Sequence, residues 1–342
     1  MVDGSGNVGT LVMKSIIQIG STIIISLVIA ILLANFIYLS GYIDFYKPEL
    51  LAYNSIYDLS GKNNGNTVLI MGDSFTAGSS SYPNILRNML PNYRIINSGI
   101  PGSGIIQASI IAKRRIEEFK PNIFIYQIYV GNDLFDISYP VNWKRLSFMR
   151  NMYWFASNHI RIISFLNYRL GQLNASNNES YQEYTQKQYD ENETFSIDRF
   201  TKREIIYNIA DDKLVENSIL LKGSRIDDFK LLFSKLEKIF ELLPAYSKKF
   251  IVLIPHASQI NEEYLNRTIE TKARFSDQDK IFEEEYPFAQ KIKVLFPEIN
   301  VLNPLPLFRN AEANGVKVYY ANDGHLNNNG QKILANFIDN HL

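Results

Sequence analysis

The chain is organised around the stretch Val68-Leu69-Ile70-Met71-Gly72-Asp73-Ser74-Phe75-Thr76. Its apolar, β-forming half stops abruptly at Gly72, which predicts a buried strand that ends in a tight turn. Ligands of an open α/β sheet bind at the carboxyl ends of its strands, so Ser74 stands where a nucleophile is useful. The alternative is that Ser74 only caps the following helix. The choice depends on whether the chain also supplies a base and an oxyanion hole.

Strand and helix patterns alternate through most of the chain after residue 66. The clearest helix runs from Ile226 to Leu243, with apolar residues at i, i+3, i+4 and i+7. This alternation predicts an α/β protein with a central parallel sheet and helices on both faces. The predicted strands are 67–71, 93–97, 123–130, 250–254 and 299–302, and the other predicted helices are 83–90, 105–119 and 330–338.

Composition excludes several classes of function. The chain has 342 residues, 46% of them hydrophobic, so it can bury a large core. Basic and acidic residues balance at 35 each, which does not indicate a nucleic-acid partner. The absence of cysteine excludes disulfides, thiolate catalysis and cysteine-ligated metals. With only four histidines in the chain, a dedicated zinc site is not expected either.

An uncharged segment near the N-terminus predicts a membrane anchor. No charged residue occurs from Ser15 to Ile43, and the apolar run is about as long as the roughly 20 residues that a spanning helix needs. We therefore expect a tail at 1–14, a transmembrane anchor at 15–41 and a juxtamembrane linker at 42–66. A single uncleaved span would tether the rest of the chain to the cell membrane, outside the cytoplasm. A buried core helix of a soluble protein is the alternative.

The remaining residues, 67–342, are predicted to form one domain with an insertion. The alternation of strands and helices is lost at about 140–225, where a cluster of aromatic residues precedes a polar tract rich in Asn, Gln, Ser and Glu. Such a segment fits a lid that selects the substrate, and it fits a variable decoration equally well. Both interpretations stay open at this stage.

Three further loops carry polar residues at predicted strand or loop ends. The second strand ends in 97–104, a glycine-rich turn whose backbone N–H groups can approach an oxyanion closely. The third ends in Gly131-Asn132-Asp133, where an amide side chain can donate to the same oxygen. The loop Asn322-Asp323-Gly324-His325 supplies an imidazole with a carboxylate nearby, which is what a serine nucleophile requires. Each loop alone has a purely structural interpretation, but their joint occurrence favours a site.

With these four blocks the sequence resembles the SGNH (GDSL-like) hydrolases. The matching residues are Gly72-Asp73-Ser74, Gly99, Gly131-Asn132-Asp133 and Asp323-Gly324-His325. The resemblance implies a flavodoxin-like three-layer α/β/α fold. It also implies that Ser74 is the nucleophile and His325 the general base. Ser74 and Gly99 would supply backbone N–H groups to the oxyanion hole, together with the side chain of Asn132. No cofactor and no metal are implied.

The acid of the predicted triad departs from the commonest family pattern. That pattern has an acid three residues before the histidine, where this chain has Asn322, whereas Asp323 lies two residues before it. Some bacterial relatives also read Asp-Gly-His, so Asp323 is the predicted acid and Asn322 the alternative orienting residue. His256, at the end of the fourth strand, is interpreted either as a substrate contact or as a structural residue.

These observations predict a membrane-anchored, extracytoplasmic serine esterase or O-acyltransferase. Its partners would be the membrane and an acyl ester, with acetyl groups of a cell-envelope or secreted polysaccharide as the expected substrate. One alternative is a non-catalytic SGNH-like module that binds glycan or serves as a scaffold. Another is a lipid esterase of the lysophospholipase or thioesterase type. The motif does not distinguish water from a sugar hydroxyl as the acyl acceptor.

Overall fold

The computed structural model describes residues 5–40, 66–77, 80–137, 147–160, 162–163, 166 and 193–342. The predicted linker at 42–66 lies outside the described residues except for Asn66. The polar tract of the predicted insertion, 172–194, lies outside them except for its last two residues.

A five-stranded parallel sheet forms the centre of the molecule and confirms the predicted fold class. The strand order is β2-β1-β3-β4-β5, the order of the flavodoxin-like fold. The strands are β1 (Asn66–Met71), β2 (Tyr93–Asn97), β3 (Ile123–Tyr129), β4 (Lys248–Ile254) and β5 (Asn300–Leu302).

The central strands are apolar on both faces because helices cover both sides of the sheet. All seven residues of β3 are buried, which is typical of a strand inside a parallel α/β sheet. The register pairs Ile70 of β1 with Asn97 of β2 and Met71 with Tyr126 of β3. The carboxyl ends of these three strands therefore lie at one edge of the sheet, and their polar loops meet there.

Twelve helices are present in the described part of the chain. The predicted helices all form, and α3 has the predicted bounds. The short helices between β4 and β5 and the helix that follows β5 were not predicted, because none has a long apolar stripe. The insertion was predicted to be helical and polar, without bounds for its helices. The helices are α1 (Ser5–Ser40), α2 (Tyr82–Met89), α3 (Ile105–Phe119), α4 (Phe148–His159), α5 (Lys202–Ala210), α6 (Leu214–Leu220), α7 (Arg225–Glu241), α8 (Glu262–Glu270), α9 (Gln278–Ile281), α10 (Pro287–Leu295), α11 (Leu305–Ala313) and α12 (Asn328–Asp339).

Two pairs of helices form the outer layers. Helix α7 buries the stripe predicted from its periodicity, including Phe229, Leu232 and Leu236, and packs against α3. Helix α12 packs against α2. Because α12 follows the loop that contains His325, its packing against α2 holds that loop next to the turn that follows β1.

Helix α1 is the only helix in the described ranges that is long and apolar enough to cross a bilayer. Its apolar segment, Val12–Ile37, has a mean hydropathy of 2.6 and buries none of its most apolar window in the protein. The helix begins at Ser5, ten residues before the start of the predicted anchor. An N-terminal segment of this kind is either a membrane span or a signal sequence. Its Asn35 Oδ1 accepts a hydrogen bond from the Ile162 N–H at 3.3 Å.

Candidate active site

The turn that presents Ser74 is held by hydrogen bonds on both sides of the serine. Asp73 accepts the Thr76 N–H on its carbonyl oxygen at 3.2 Å, and its Oδ1 accepts the Phe75 N–H at 2.9 Å. Gln127 of β3 accepts the Asp73 N–H at 3.1 Å and the Thr76 hydroxyl at 2.9 Å through the same Oε1. The side chain of Ser74 takes no part in these bonds and lines the cavity described below.

Gly72 is required by the packing of this turn. A Cβ at Gly72 would lie 2.4 Å from Gln127 Oε1 and 2.4 Å from Thr76 Oγ1. Both atoms belong to the hydrogen bonds that hold the turn, so a side chain here would displace them. The glycine therefore allows β3 to support the loop that carries Ser74.

Three predicted residues meet in the geometry of a catalytic triad. Ser74 Oγ lies 2.7 Å from His325 Nε2. Asp323 Oδ1 contacts His325 Nδ1 and also accepts the His325 backbone N–H at 2.9 Å. A carboxylate bound to Nδ1–H leaves Nε2 as an acceptor, which is the tautomer that can take the proton of Ser74.

The charges around His325 favour its protonated form. Burial alone would lower the pKa of His325, but the carboxylate of Asp323 outweighs burial, and Asp73 and Glu204 add to it, so the pKa is raised above 6.5. For Asp323, burial would raise the pKa, but the interaction with His325 and a hydrogen bond from Thr201 keep it below its usual value. Asp323 is thus a buried carboxylate that stabilises an imidazolium.

Asn322, the alternative orienting residue, does not contact the imidazole. Its Nδ2 donates to Glu193 Oε2 at 3.0 Å and to the Thr194 carbonyl at 3.1 Å. Its Oδ1 accepts the Ser196 N–H at 2.7 Å. The amide of Asn322 therefore binds the end of the insertion to the His325 loop, and Asp323 is the residue that contacts the ring.

Thr201 is a site residue that the sequence analysis did not find. The sequence Thr201-Lys202-Arg203-Glu204 matches the capping-box pattern S/T-x-x-E at the start of α5. Neither side chain caps the helix, however. The Thr201 hydroxyl donates instead to Asp323 Oδ2. A capping-box pattern inside the insertion was the only local signal, and that signal indicates a helix start and not a site.

Two of the three predicted oxyanion-hole residues line the cavity. Ser74 and Asn132 both face it, and Asn132 Oδ1 is buried without a hydrogen-bond partner. The Gly99 N–H donates to Asn97 Oδ1 at 2.9 Å, and Gly99 does not line the cavity. A Cβ at Gly99 would lie 2.7 Å from the Ala77 nitrogen, so this glycine allows close packing against the Ser74 loop. Its part in an oxyanion hole stays a prediction.

Asp73 and Asp133, each next to a predicted site residue, stabilise the loops that carry those residues. Burial raises the pKa of Asp73 to about 6 and raises the pKa of Asp133 well above its usual value. Asp133 Oδ2 accepts the Tyr129 N–H at 2.9 Å and closes the loop after β3. Both side chains accept backbone hydrogen bonds within their own loops and so stabilise them.

A cavity of about 100 Å³ opens beside Ser74 and His325. Helices α5 and α6 of the insertion form one of its walls, so this part of the insertion borders the site. His256 also lines the cavity; its side chain is buried, and its ring stacks on Tyr129 with 6.0 Å between centroids. In the described part of the chain, no three His, Asp or Glu side chains are arranged to hold a metal ion.

Comparisons with known proteins find similar structures but no similar sequence. No family model matches the chain, and no curated protein matches it. Three of the similar solved structures cover 80–81% of this chain at 10–13% identity. Likenesses at this level do not transfer a function, so the function has to be argued from the site. The structures are a member of the lipolytic protein G-D-S-L family from Veillonella parvula (TM-score 0.39, 10% identity, 97% of that chain), the lipase/acylhydrolase from Enterococcus faecalis (0.38, 10%, 94%) and a catalytic mutant of an acetylxylan esterase from Geobacillus stearothermophilus (0.40, 13%, 93%).

Proposed function

We propose that this chain is a serine esterase of the SGNH type that forms an acyl-enzyme on Ser74. The observation that carries the proposal is the 2.7 Å contact between Ser74 Oγ and His325 Nε2, with Asp323 on the other ring nitrogen. A nucleophile, a base and an orienting carboxylate in series are the arrangement that activates a serine for acyl transfer. A module that only bound its ligand would not need this alignment.

The reaction would proceed in two steps, acylation and deacylation of Ser74. Ser74 Oγ attacks the ester carbonyl carbon while its proton passes to His325 Nε2, and the carbonyl oxygen becomes an oxyanion near the Ser74 N–H and Asn132. His325 then returns the proton to the leaving alcohol, and the acyl group stays on Ser74. In the second step His325 takes a proton from the acceptor, which attacks the acyl-enzyme and releases Ser74 with its proton restored.

The size of the cavity favours a short acyl group. Its volume of about 100 Å³ is below the roughly 300–1,000 Å³ of sites that enclose drug-sized ligands. We propose that the acyl group is acetyl and that the alcohol belongs to a cell-envelope or secreted polysaccharide. Water as the acceptor gives an esterase and a sugar hydroxyl gives an O-acyltransferase, because the same three residues serve both reactions.

Membrane attachment is part of the proposal. Helix α1 provides the apolar span, and α4 carries exposed apolar side chains, among them Phe148 and Met149. The contact of Asn35 with Ile162 connects the residues after α4 to the C-terminal part of α1. We propose that α1 anchors the chain in the cell membrane with the catalytic domain outside the cytoplasm, where envelope polysaccharides lie.

The test compares the full chain, purified in detergent, with its Ser74→Ala variant. Wild type should hydrolyse p-nitrophenyl acetate and react with a fluorophosphonate, and Ser74→Ala should do neither while keeping its circular dichroism spectrum. Ser224→Ala is the matched control, because Ser224 is exposed at the start of α7 and its side chain does not cap that helix. Failure of a folded wild type to react would support the glycan-binding alternative. A preference for long-chain esters would support the lipid esterase.

A further inference from the structure

We propose that Glu204, His256 and Asn208 form a subsite that binds free hydroxyl groups of the substrate next to the reacting ester. The proposal rests on the proposed esterase function and adds to it the residues that would recognise the alcohol, a partly acylated sugar or other polyol. All three side chains line the same cavity as Ser74 and His325. The steps that Ser74, His325 and Asp323 carry out use none of them.

The side chain of Glu204 lies at the site and does not cap the helix that carries it. It occupies the position of a capping-box glutamate, yet it does not cap α5. A Cβ at Gly324 would lie 2.7 Å from Glu204 Oε2, which places this carboxylate beside the residue that precedes His325. Its Oε1 lies 3.5 Å from His256 Nε2. That distance is too long for a good hydrogen bond, so the carboxylate keeps its capacity to accept bonds from a ligand.

His256 supplies a donor next to this acceptor. Its Nδ1 accepts the Ser258 N–H at 3.1 Å, so the proton of the neutral ring is on Nε2. Nε2 is the atom that faces Glu204 across 3.5 Å. A hydroxyl group that lies beside this pair, on the cavity side, can therefore accept from His256 Nε2–H and donate to Glu204.

Asn208 provides a second acceptor whose orientation is determined by its neighbours. Its Nδ2 donates to Thr271 Oγ1 at 2.8 Å, and that hydroxyl donates in turn to the Thr268 carbonyl at 2.6 Å. Because the only hydrogen of the Thr271 hydroxyl is used in that bond, its oxygen must accept from Asn208. The Asn208 atom that faces Thr271 is therefore the NH2 group, and the carbonyl oxygen Oδ1 is on the other side of the amide. Asn208 is 1% exposed, and its Oδ1 has no hydrogen-bond partner. An unpaired buried acceptor in a cavity wall is explained if a ligand donates to it.

The mixture of donors and acceptors indicates hydroxyl groups and not a cation. A hydroxyl both donates and accepts, so it fits a site made of Glu204, His256 Nε2–H and Asn208 Oδ1. An ammonium group only donates, and it would meet the His256 N–H as well as the guanidinium of Arg203, which also lines the cavity. The site therefore suits a sugar with unacylated hydroxyls beside the ester.

The test measures selectivity between two matched esters. One is a methyl xyloside monoacetate with free hydroxyls, and the other is the same monoacetate with those hydroxyls methylated. Wild type should prefer the first ester. Glu204→Ala should reduce the ratio of the two kcat/KM values by about tenfold or more, because unpaired polar groups in such a site penalise the wrong substrate strongly. The change should appear mainly in KM of the free-hydroxyl ester. Glu270→Ala makes the same change on an exposed surface and should leave the ratio unchanged.

Each outcome separates this proposal from the esterase function. If Glu204→Ala lowers both kcat/KM values equally, the subsite proposal is wrong while the esterase function stands. If Glu204→Ala instead lowered kcat/KM only for an aminoacyl ester, the subsite would bind an ammonium group and the hydroxyl proposal would also be wrong. Glu204→Gln replaces the alanine variant if that one does not fold, because it keeps the shape of the side chain. It loses one of the two acceptor oxygens, so it should still reduce the ratio of the two kcat/KM values. If wild type neither reacts with the fluorophosphonate nor cleaves either ester, the esterase function itself is wrong.

Discussion

His325 has one carboxylate that touches its ring and two more that act on it from a distance. Asp323 binds both the backbone N–H and the ring of His325, so a spacing of two residues is enough to hold the imidazole. Asp73 and Glu204 add negative potential and contribute to the raised pKa. In the proposed mechanism, the rate therefore depends on whether His325 is neutral when Ser74 gives up its proton.

The first prediction concerns the pH dependence of Asp323→Asn. His325 must be neutral to act as a base, and its pKa is raised above 6.5, so kcat/KM of wild type should fall as the pH drops through a value above 6.5. Removing the carboxylate lowers that pKa, so the acid limb should move to lower pH and kcat should fall by roughly two to four orders of magnitude. Asn322→Ala is the control and should leave the limb in place. If Asp323→Asn left kcat/KM unchanged while Asn322→Ala lowered it strongly, Asn322 and not Asp323 would be the residue that orients His325.

The second prediction concerns the oxyanion hole. Asn132→Ala should lower kcat by about 10²–10³-fold with little change in KM, the usual effect of losing one donor to the transition state. Asn336→Ala makes the same change on the exposed face of α12 and should have no effect on kcat. Steady-state kinetics with p-nitrophenyl acetate measure both. Unchanged kcat in a folded Asn132→Ala would remove Asn132 from the oxyanion hole.

At the scale of elements, the start of α5 is joined to the loop before α12. Thr201 makes this junction with two donors: its N–H donates to the Asn322 carbonyl at 3.1 Å, and its hydroxyl donates to Asp323. The side chain of Asn322 binds the residues just before α5. The described end of the insertion is therefore part of the support for the His325 loop.

The third prediction tests this support with Thr201→Val. The variant keeps the shape of the side chain and removes one hydrogen bond to a buried carboxylate, a bond worth about 1.5–3 kcal/mol. We expect kcat/KM to fall by about tenfold and the acid limb of the pH profile to shift, since Asp323 is held less well against His325. Thr201→Ser keeps the hydroxyl and should restore both. If Thr201→Ser and Thr201→Val behave alike, the hydroxyl does not act through Asp323.

At the scale of the whole molecule, the apolar surface is concentrated near α1 and α4. Most large apolar side chains of α1 are exposed, which is a cost in water and none in a bilayer. Ile162, just after α4, contacts Asn35, so the residues that follow α4 lie next to the C-terminal part of α1. If α1 spans the membrane as proposed, this contact keeps the domain close to the membrane plane.

The fourth prediction concerns membrane extraction of the full chain. Wild type should stay in the membrane fraction after an alkaline carbonate wash and should dissolve only with detergent. The double variant Ile24→Arg, Val28→Arg should be released, because each arginine near the centre of a span costs about 2.5–3.5 kcal/mol. Release of uncleaved wild type without detergent would favour the core-helix interpretation, and a shortened product would identify a signal sequence.

The strands and the longer helices could be predicted from the sequence, because hydrophobic periodicity and turn residues are local properties. It located the five strands, the amphipathic helix α7 and the blocks that contain Ser74, Asn132 and His325. It could not choose between Asp323 and Asn322 on physical grounds, since both lie within reach of the histidine in sequence. The strand order was available only through the family resemblance.

The contacts between polar groups of the site became known only from the folded chain. Thr201 contacts Asp323 across 122 residues of sequence, and the Ser74–His325 contact spans 251. No local pattern indicates such pairings; the capping-box residues Thr201 and Glu204 even have a complete local interpretation, which the fold replaces with contacts to the site. The physical reason is that a side chain's partners are chosen by the packing of distant elements, whereas a helix or strand is chosen largely by its neighbours in the chain.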